Sequence, residues 1–406
     1  MLNRTVVISI IFGIALIALI GTFKSNYVKT AVGKGDFAAL YKASAWAGRT
    51  GSFADPNSLG YYPPSGRPIL MIFTLLPLRP AAIVWWLMAV GLHLFCLYLL
   101  INFLLPVKPT DPWLLISLVY LAMLPWLVSD LAGGNVSPLI LASVVISYFL
   151  YRRGRLWSSA IILSIGIVVK FLPIFMIFFY AVKRRWKMVF ITSACTLIVG
   201  ILPGMLLVGS HNFFDSWKTW SREALGRRTA KYMIVESSGI SYINQSLANV
   251  LLHTLSPVSA GHHDKPFYVN IANLSRTTIL KIWYTVVLVS GLLWVYLIWP
   301  RKDDPPSIEA VHFAAVCLPM IWFSPHVMTY YLTILMPAVA LLIWATTNKR
   351  DLPMNIMLAL YILGYVLVAS VYGRAYGNYQ AVVLVLAISI ALTSSQIRRS
   401  AIHSPL

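Results

Sequence analysis

Apolar residues in this chain gather into runs of about one membrane span, and basic residues gather between them. The runs are Thr5 to Phe23, Ala81 to Leu105, Trp113 to Val128, Pro138 to Tyr151, Ser158 to Ala181, Met188 to Val208, Ile279 to Trp299, Ile308 to Phe323, Tyr331 to Ala345, Met354 to Tyr372 and Ala381 to Ser395. A helix needs about 20 predominantly apolar residues to cross the ~30 Å hydrocarbon layer, so the pattern predicts a polytopic all-α membrane protein. The first run follows Arg4 and has no small-residue cleavage site before Lys24, which marks it as a retained anchor.

Cytoplasmic loops carry the excess of Lys and Arg, and that rule orients the spans. With Arg4 inside, residues 24–80 form a first extracytoplasmic loop and residues 209–278 a second. Lys108, the Arg152 to Arg155 cluster, Arg301-Lys302, Lys349-Arg350 and Arg398-Arg399 then all fall inside, with both termini cytoplasmic. Ser129 to Ser137 is expected as an outer turn. One run breaks the alternation. Ser158 to Ala181 has strong basic clusters at both ends, so a single crossing would invert every later loop. A re-entrant hairpin over 158–181 removes the conflict, with its turn at Lys170-Phe171-Leu172-Pro173. The prediction is about ten full spans plus that hairpin, in a single integral-membrane domain over 1–406. Within the first loop, Phe37, Leu40, Tyr41 and Ala45 share a helical face, and Pro68 starts a second short apolar helix running to Leu76.

Composition narrows the class. With 59% hydrophobic and 11% charged residues, the chain lacks the polar surface of a soluble domain this size. The net charge of +20 is scattered in short inter-span clusters and forms no continuous basic face, so it sets topology and nucleic acid is not an expected partner. Cys96, Cys195 and Cys317 lie inside apolar runs without metal-type spacing and read as packing residues. No phosphate-binding glycine loop or nucleophile-elbow serine is present, and with them a nucleotide-sugar domain is absent.

The chemistry on offer is therefore that of a few polar residues at membrane surfaces. Asp36 follows a glycine and opens a helical pattern. It reads both as an N-cap, whose oxygen accepts from orphan N–H groups, and as a positioned general base. Lys170 lies near the membrane's middle, where a cation costs roughly 2.5–3.5 kcal/mol and faces a cavity or an anion, unless it snorkels to the surface. Arg67, beside the Pro63-Pro64 turn, suits phosphate oxygens, as does the group Arg222, Arg227 and Arg228. His262-His263-Asp264 resembles a metal cluster, but adjacent histidines seldom reach one ion and no second ligand set accompanies them. No metal and no cofactor is expected.

Several of these pieces recur in a known order. Asp36 and Tyr41 follow the first helix; Tyr62-Pro63-Pro64 precedes an apolar stretch ending Pro77-Leu78; Gly134-Asn135 precedes the fourth helix. Lys170 and Pro173 then precede a basic cluster, Asn244-Gln245-Ser246-Leu247 lies in the large loop, and Ser324-Pro325 precedes a helix containing Pro337. In this order the chain resembles the bacterial polyprenyl-phosphate-mannose-dependent mannosyltransferases, of the C-type, membrane-embedded glycosyltransferase superfamily. The family usually has Gln where Asn135 stands. It also has paired histidines after Ser-Pro, where this chain has Tyr330 and Tyr331, with His326 nearer the start.

The resemblance implies an inverting transfer of a hexose, mannose in that family, from a polyprenyl-phosphate donor to a lipid-linked or cell-envelope glycan acceptor. It places the chemistry on the outer face without an obligatory metal, and Asp36 as the base. Arg67 and Lys170 are then expected to stabilise the phosphate. Tyr41, Tyr62, Asn135, Gln245, His326, Tyr330 and Tyr331 are further candidates for sugar or phosphate contacts. The alternative from another class is a lipid or solute transporter, which an intramembrane Lys170 and a broken hairpin also suit. The long loops and the lack of internal repeats oppose it. A non-catalytic scaffold would leave Asp36 only a cap.

Overall fold

A computed structural model describes residues 4–54, 62–226, 229–237, 241–261, 265–349, 351–367 and 370–403. They form an all-α membrane protein with eighteen helices and no strand among the described residues. The helices are α1 Arg4–Ala31, α2 Asp36–Thr50, α3 Arg67–Met71, α4 Leu78–Leu99, α5 Pro112–Gly133, α6 Ser137–Arg152, α7 Leu156–Val169, α8 Phe175–Val182 and α9 Trp186–Val208. They continue with α10 Ser210–Trp220, α11 Leu247–Leu255, α12 Arg276–Ile298, α13 Ile308–Ala315, α14 Cys317–Trp322, α15 Met336–Lys349, α16 Leu352–Leu367, α17 Val371–Ala375 and α18 Asn378–His403. Seven candidate spans are long and apolar enough to cross a membrane, and five shorter apolar helices accompany them. Three of the shorter ones, Ser137–Arg152, Ile308–Trp322 and Leu352–Leu367, stand where the other expected spans lie, and Leu156–Val169 and Leu172–Val182 are the arms of the 158–181 run.

The contacts divide the chain into two compact units, Met1–Leu104 with Asp111–Gly226, and Leu105–Thr110 with Arg227–Leu406. In the first, α1 packs along α4 and α5, and α7 lies between α6 and α9. Direction follows from individual contacts. Ser147 Oγ lies 3.0 Å from Ser159 Oγ, so α6 and α7 run antiparallel through the Arg153–Arg155 turn. Ser164 Oγ lies 3.0 Å from Thr196 Oγ1, and the Cβ position of Gly200 lies 3.1 Å from Val168, so α7 and α9 run the same way. Between them α8 returns: the Tyr180 ring lies tilted 5.1 Å from Tyr151 and Phe179 lies 6.2 Å from Tyr148, both at the end of α6 where α7 began. The chain thus doubles back between Arg155 and Lys183. The break is local. Lys170 is extended (φ −158°, ψ 129°), and Pro173, four residues past Val169, has a ring that clashes with the carbonyl a continued helix would put there. The arms are unequal, 14 residues in α7 and 8 in α8, or roughly 21 and 12 Å of rise.

Two boundaries differ from the sequence reading. The Ser129 to Ser137 turn is shorter, because α5 continues to Gly133 and closes on a left-handed Gly134 at φ +68°. That places Asp130 inside the helix and buries it. In the second unit the Ile308 to Phe323 run is two helices, parted where Pro319 cannot bond to Ala315. The carbonyl of Ala315 instead accepts from the Trp294 indole at 2.9 Å, so the interruption leaves it satisfied. Part of the 209–278 stretch also has a core of its own, with Met233, Ile234, Ala248, Leu252 and Ile279 buried together.

Candidate functional site

Two glycine turns meet in the first unit, and the polar cluster grows from their contact. Gly35, at φ +89°, admits the chain to α2 and lies against the Gly133 carbonyl. Gly134 approaches α2 so closely that a Cβ there would stand 2.8 Å from the Cβ of Phe37 and 2.7 Å from Nδ2 of Asn26. Asn26 in turn donates to the Leu131 carbonyl at 3.1 Å, tying α1 to the end of α5. The consequence is that Asp36 and Asn135, 99 positions apart, come within hydrogen-bond reach.

Asp36 is not the cap of α2. Gly35 holds that position, no side chain caps the helix, and Asp36 is the first helical residue. Its Oδ2 accepts from Asn135 Nδ2 at 2.7 Å, the one hydrogen bond to this carboxylate among the described residues. The positive end of α2 adds favourable charge there. The amide's orientation is fixed by its other end: Asn135 Oδ1 accepts from the Ser137 N–H at 3.2 Å and from Ser137 Oγ at 3.0 Å. Its NH2 must therefore face Asp36, and it also donates to the Tyr62 hydroxyl at 3.3 Å. Across the Tyr62 ring, 5.8 Å from its centroid, stands the Lys170 ammonium.

The 3₁₀ turn Pro64–Gly66 seats the segment from Tyr62 to Arg67 against the end of α7, just before that lysine. Ser65 Oγ donates to the Val168 carbonyl at 2.9 Å, and Gly66 packs where a Cβ would meet Val169 Cα at 2.8 Å. Arg67, the next residue, opens α3 and is buried at 2% exposure. A cavity of about 250 Å³ adjoins this turn, bounded by Ser65, Val168, Phe171, Gly200, Phe213 and Trp217. Tyr41 is used differently: its hydroxyl donates to the Leu76 carbonyl at 2.8 Å and braces α2 against the end of the surface segment.

One pair behind the turn is absent from the sequence reading. His93 Nε2 of α4 lies 3.3 Å from Asp130 Oδ2 of α5, both buried, and the Asp130 carbonyl accepts from the N–H groups of Gly134 (2.9 Å) and Asn135 (3.4 Å). The pair anchors the backbone that aims Asn135. Its signal was two ionisable residues in or beside apolar runs, and assigning Asp130 to a loop hid it.

All the remaining candidates but Arg222 lie in the second unit. Gln245 is buried and spends its side-chain amide hydrogens on the Tyr242 and Arg374 carbonyls, while its backbone carbonyl accepts from the Gln380 side chain. Asn244 Oδ1 takes the Val327 N–H at 2.9 Å, and the Gln245 N–H donates to the Val327 carbonyl, fixing the loop that carries His326. Tyr330 and Tyr331 contact edge to face at 4.9 Å. Arg222 is exposed; Arg227, Arg228, His262, His263 and Asp264 lie outside the described residues. Among the described residues no group of three His, Cys, Asp or Glu is placed to hold a metal ion.

The model of glycosyltransferase family 87 matches residues 61–325, well over half of the chain. The chain belongs to that family. No curated protein and no solved structure matches. Glycosyl transfer is thereby the activity class, and the transporter and scaffold alternatives give way to it. Tyr62, Arg67, Asn135, Lys170 and Gln245 fall within the matched region of this family 87 protein; Asp36, Tyr41, His326, Tyr330 and Tyr331 lie outside it.

Proposed function

We propose that Asp36 is the general base of an inverting transfer that moves a hexose from a polyprenyl-phosphate donor to a hydroxyl of a lipid-linked or envelope glycan. The observation that carries this is the path Asp36, Asn135, Tyr62, Lys170, which sets a carboxylate and an ammonium at its two ends. Transfer needs both charges at separate points. The acceptor oxygen attacks the anomeric carbon opposite the phosphate, the carbon–phosphate oxygen bond breaks, and the hydroxyl proton passes to Asp36. Lys170 and the buried Arg67 stabilise the departing phosphate as its charge grows. The apolar walls of the adjoining cavity suit the start of a prenyl tail. Mannose is the proposed sugar, the extracytoplasmic side the proposed face, and cytoplasmic termini follow from the basic clusters. His326, Tyr330 and Tyr331 are proposed as sugar or phosphate contacts.

The test is incubation of the purified protein with polyprenyl-phosphate sugars and envelope lipid extracts, with mass spectrometry of the lipids. A product is expected in the presence of a chelator. Use of a nucleotide sugar alone, or irreversible loss on chelation, overturns the mechanism.

A further inference from the structure

The second unit contains a larger cavity, about 700 Å³, that the catalytic reading does not use. It is a groove between α12, α14 and α18. Trp322 Nε1 bonds Ser290 Oγ at 3.1 Å and Trp294 Nε1 bonds the Ala315 carbonyl, which fixes α12 antiparallel to α13 and α14 along one wall. Leu293, Trp322, Leu384 and Ile388 make its body apolar, and Leu293, Leu384 and Ile388 are exposed.

Only one end is charged. Arg301, Arg398 and Arg399 stand there. Arg398 is engaged by Asp304 (Nε to Oδ1 at 2.7 Å), which makes it part of the frame. Arg301 lies over the Tyr296 ring at 5.5 Å and donates to its hydroxyl at 3.3 Å, so its guanidinium is held at the mouth. Arg399 is exposed beside it. With Lys302 added and Asp303 and Asp304 subtracted, the mouth keeps a positive excess. From Val383 to Arg399 along α18 is about 24 Å. That exceeds half of the ~30 Å hydrocarbon layer and falls short of all of it. An occupant therefore enters from one membrane surface and ends within the bilayer, as one lipid tail does. Two arginine forks at the mouth bind a phosphate and favour a headgroup of net negative charge over a zwitterionic one, whose ammonium offsets its phosphate.

We propose that this groove holds one anionic bilayer phospholipid, its tail along α12, α14 and α18 and its phosphate on Arg301 and Arg399. The inference is independent of Asp36. The full chain in detergent is offered phosphatidylglycerol and phosphatidylcholine at equal concentration, and native mass spectrometry counts what is retained. Phosphatidylglycerol is expected to dominate, and the double variant R301Q/R399Q, with the Arg398–Asp304 bridge intact, to lose roughly 30-fold in preference, at the gain expected of two surface arginines. Should that variant not fold, Ala391→Trp, which fills the groove from α18, is expected to reduce retention of the anionic lipid while R301K/R399K keeps most of it. Equal retention of the two lipids by the parent, an unchanged preference in R301Q/R399Q, or no loss in Ala391→Trp overturns the proposal. So does displacement by polyprenyl phosphate at concentrations below those of phosphatidylglycerol, which would make the groove the carrier's.

Discussion

Capping and catalysis are distinct uses of one carboxylate; Asp36 does not cap α2, and the second use is the one we propose. Since Gly35 is the cap and Asp36 makes no cap bond, replacing its charge costs α2 no capping interaction. Asp36→Asn keeps an oxygen for Asn135 and removes the base. Turnover is expected to fall about 10²- to 10⁴-fold with thermal stability and donor binding retained; normal turnover in the folded variant would exclude Asp36. The sequence singles out Asp36 by its place at a helix start and Lys170 by its depth in an apolar run, the resemblance adds Tyr62 and Asn135, and those four form one connected path. Residue type could not reveal that Tyr41 spends its hydroxyl on a backbone carbonyl, or that Gln245 spends its amide in the same way. A side chain's partner depends on which backbone groups the fold leaves unpaired, and those lie far away in the chain.

A break between helices is legible where its cause is local. The break at Lys170 is announced by Pro173 and by the basic clusters on both flanks, whereas the parting of α13 from α14 is hidden in an unbroken apolar run and repaired by a distant indole. The α7–α8 hairpin predicts that cysteines placed singly at Gly154 and Trp186 behave alike toward an impermeant thiol reagent on intact cells. Both should be shielded, and labelling at one end alone would contradict the doubling back. Packing of the Pro64–Gly66 turn on α7 gives a second prediction. A methyl group at Gly66 would meet backbone atoms of Val168 and Val169 at 2.9 and 2.8 Å, and backbone cannot rotate aside. Gly66→Ala should destabilise by about 1–3 kcal/mol and lower turnover by displacing Tyr62 from Lys170 and shifting the start of α3. Gly48→Ala, on α2 with only the flexible Met71 tip at 3.7 Å, should leave turnover unchanged and raise stability slightly.

For the molecule as a whole, the excess of positive charge leaves few carboxylates, so each one held in an ion pair weighs on pH stability. Asp304, in the loop between α12 and α13, is such a group. Burial pushes its carboxyl up, but hydrogen bonds from Arg398 and the Arg301 N–H, with the charges of Arg398 and His312, outweigh it and hold Asp304 below the usual carboxylate value. A carboxylate lowered in the folded state binds its proton more weakly there than in the unfolded chain. Its contribution is therefore fully present above the unfolded value of ~3.9 and is lost as pH falls through the lower folded value. Arg398 comes from α18, so the bridge ties the last helix to the start of α13 across 94 residues. Asp304→Asn should lower stability by about 1.5–3 kcal/mol at pH 7, the range for hydrogen bonds to charged groups. The decisive measurement is thermal unfolding of both proteins in nanodiscs between pH 7 and pH 3. The gap is expected to hold steady down to about pH 4–5 and to narrow below it, because protonation then removes from the parent the charge the variant already lacks. A gap that stays constant to pH 3 would mean that Asp304 acts through shape, and that Arg398 is held by something other than its charge.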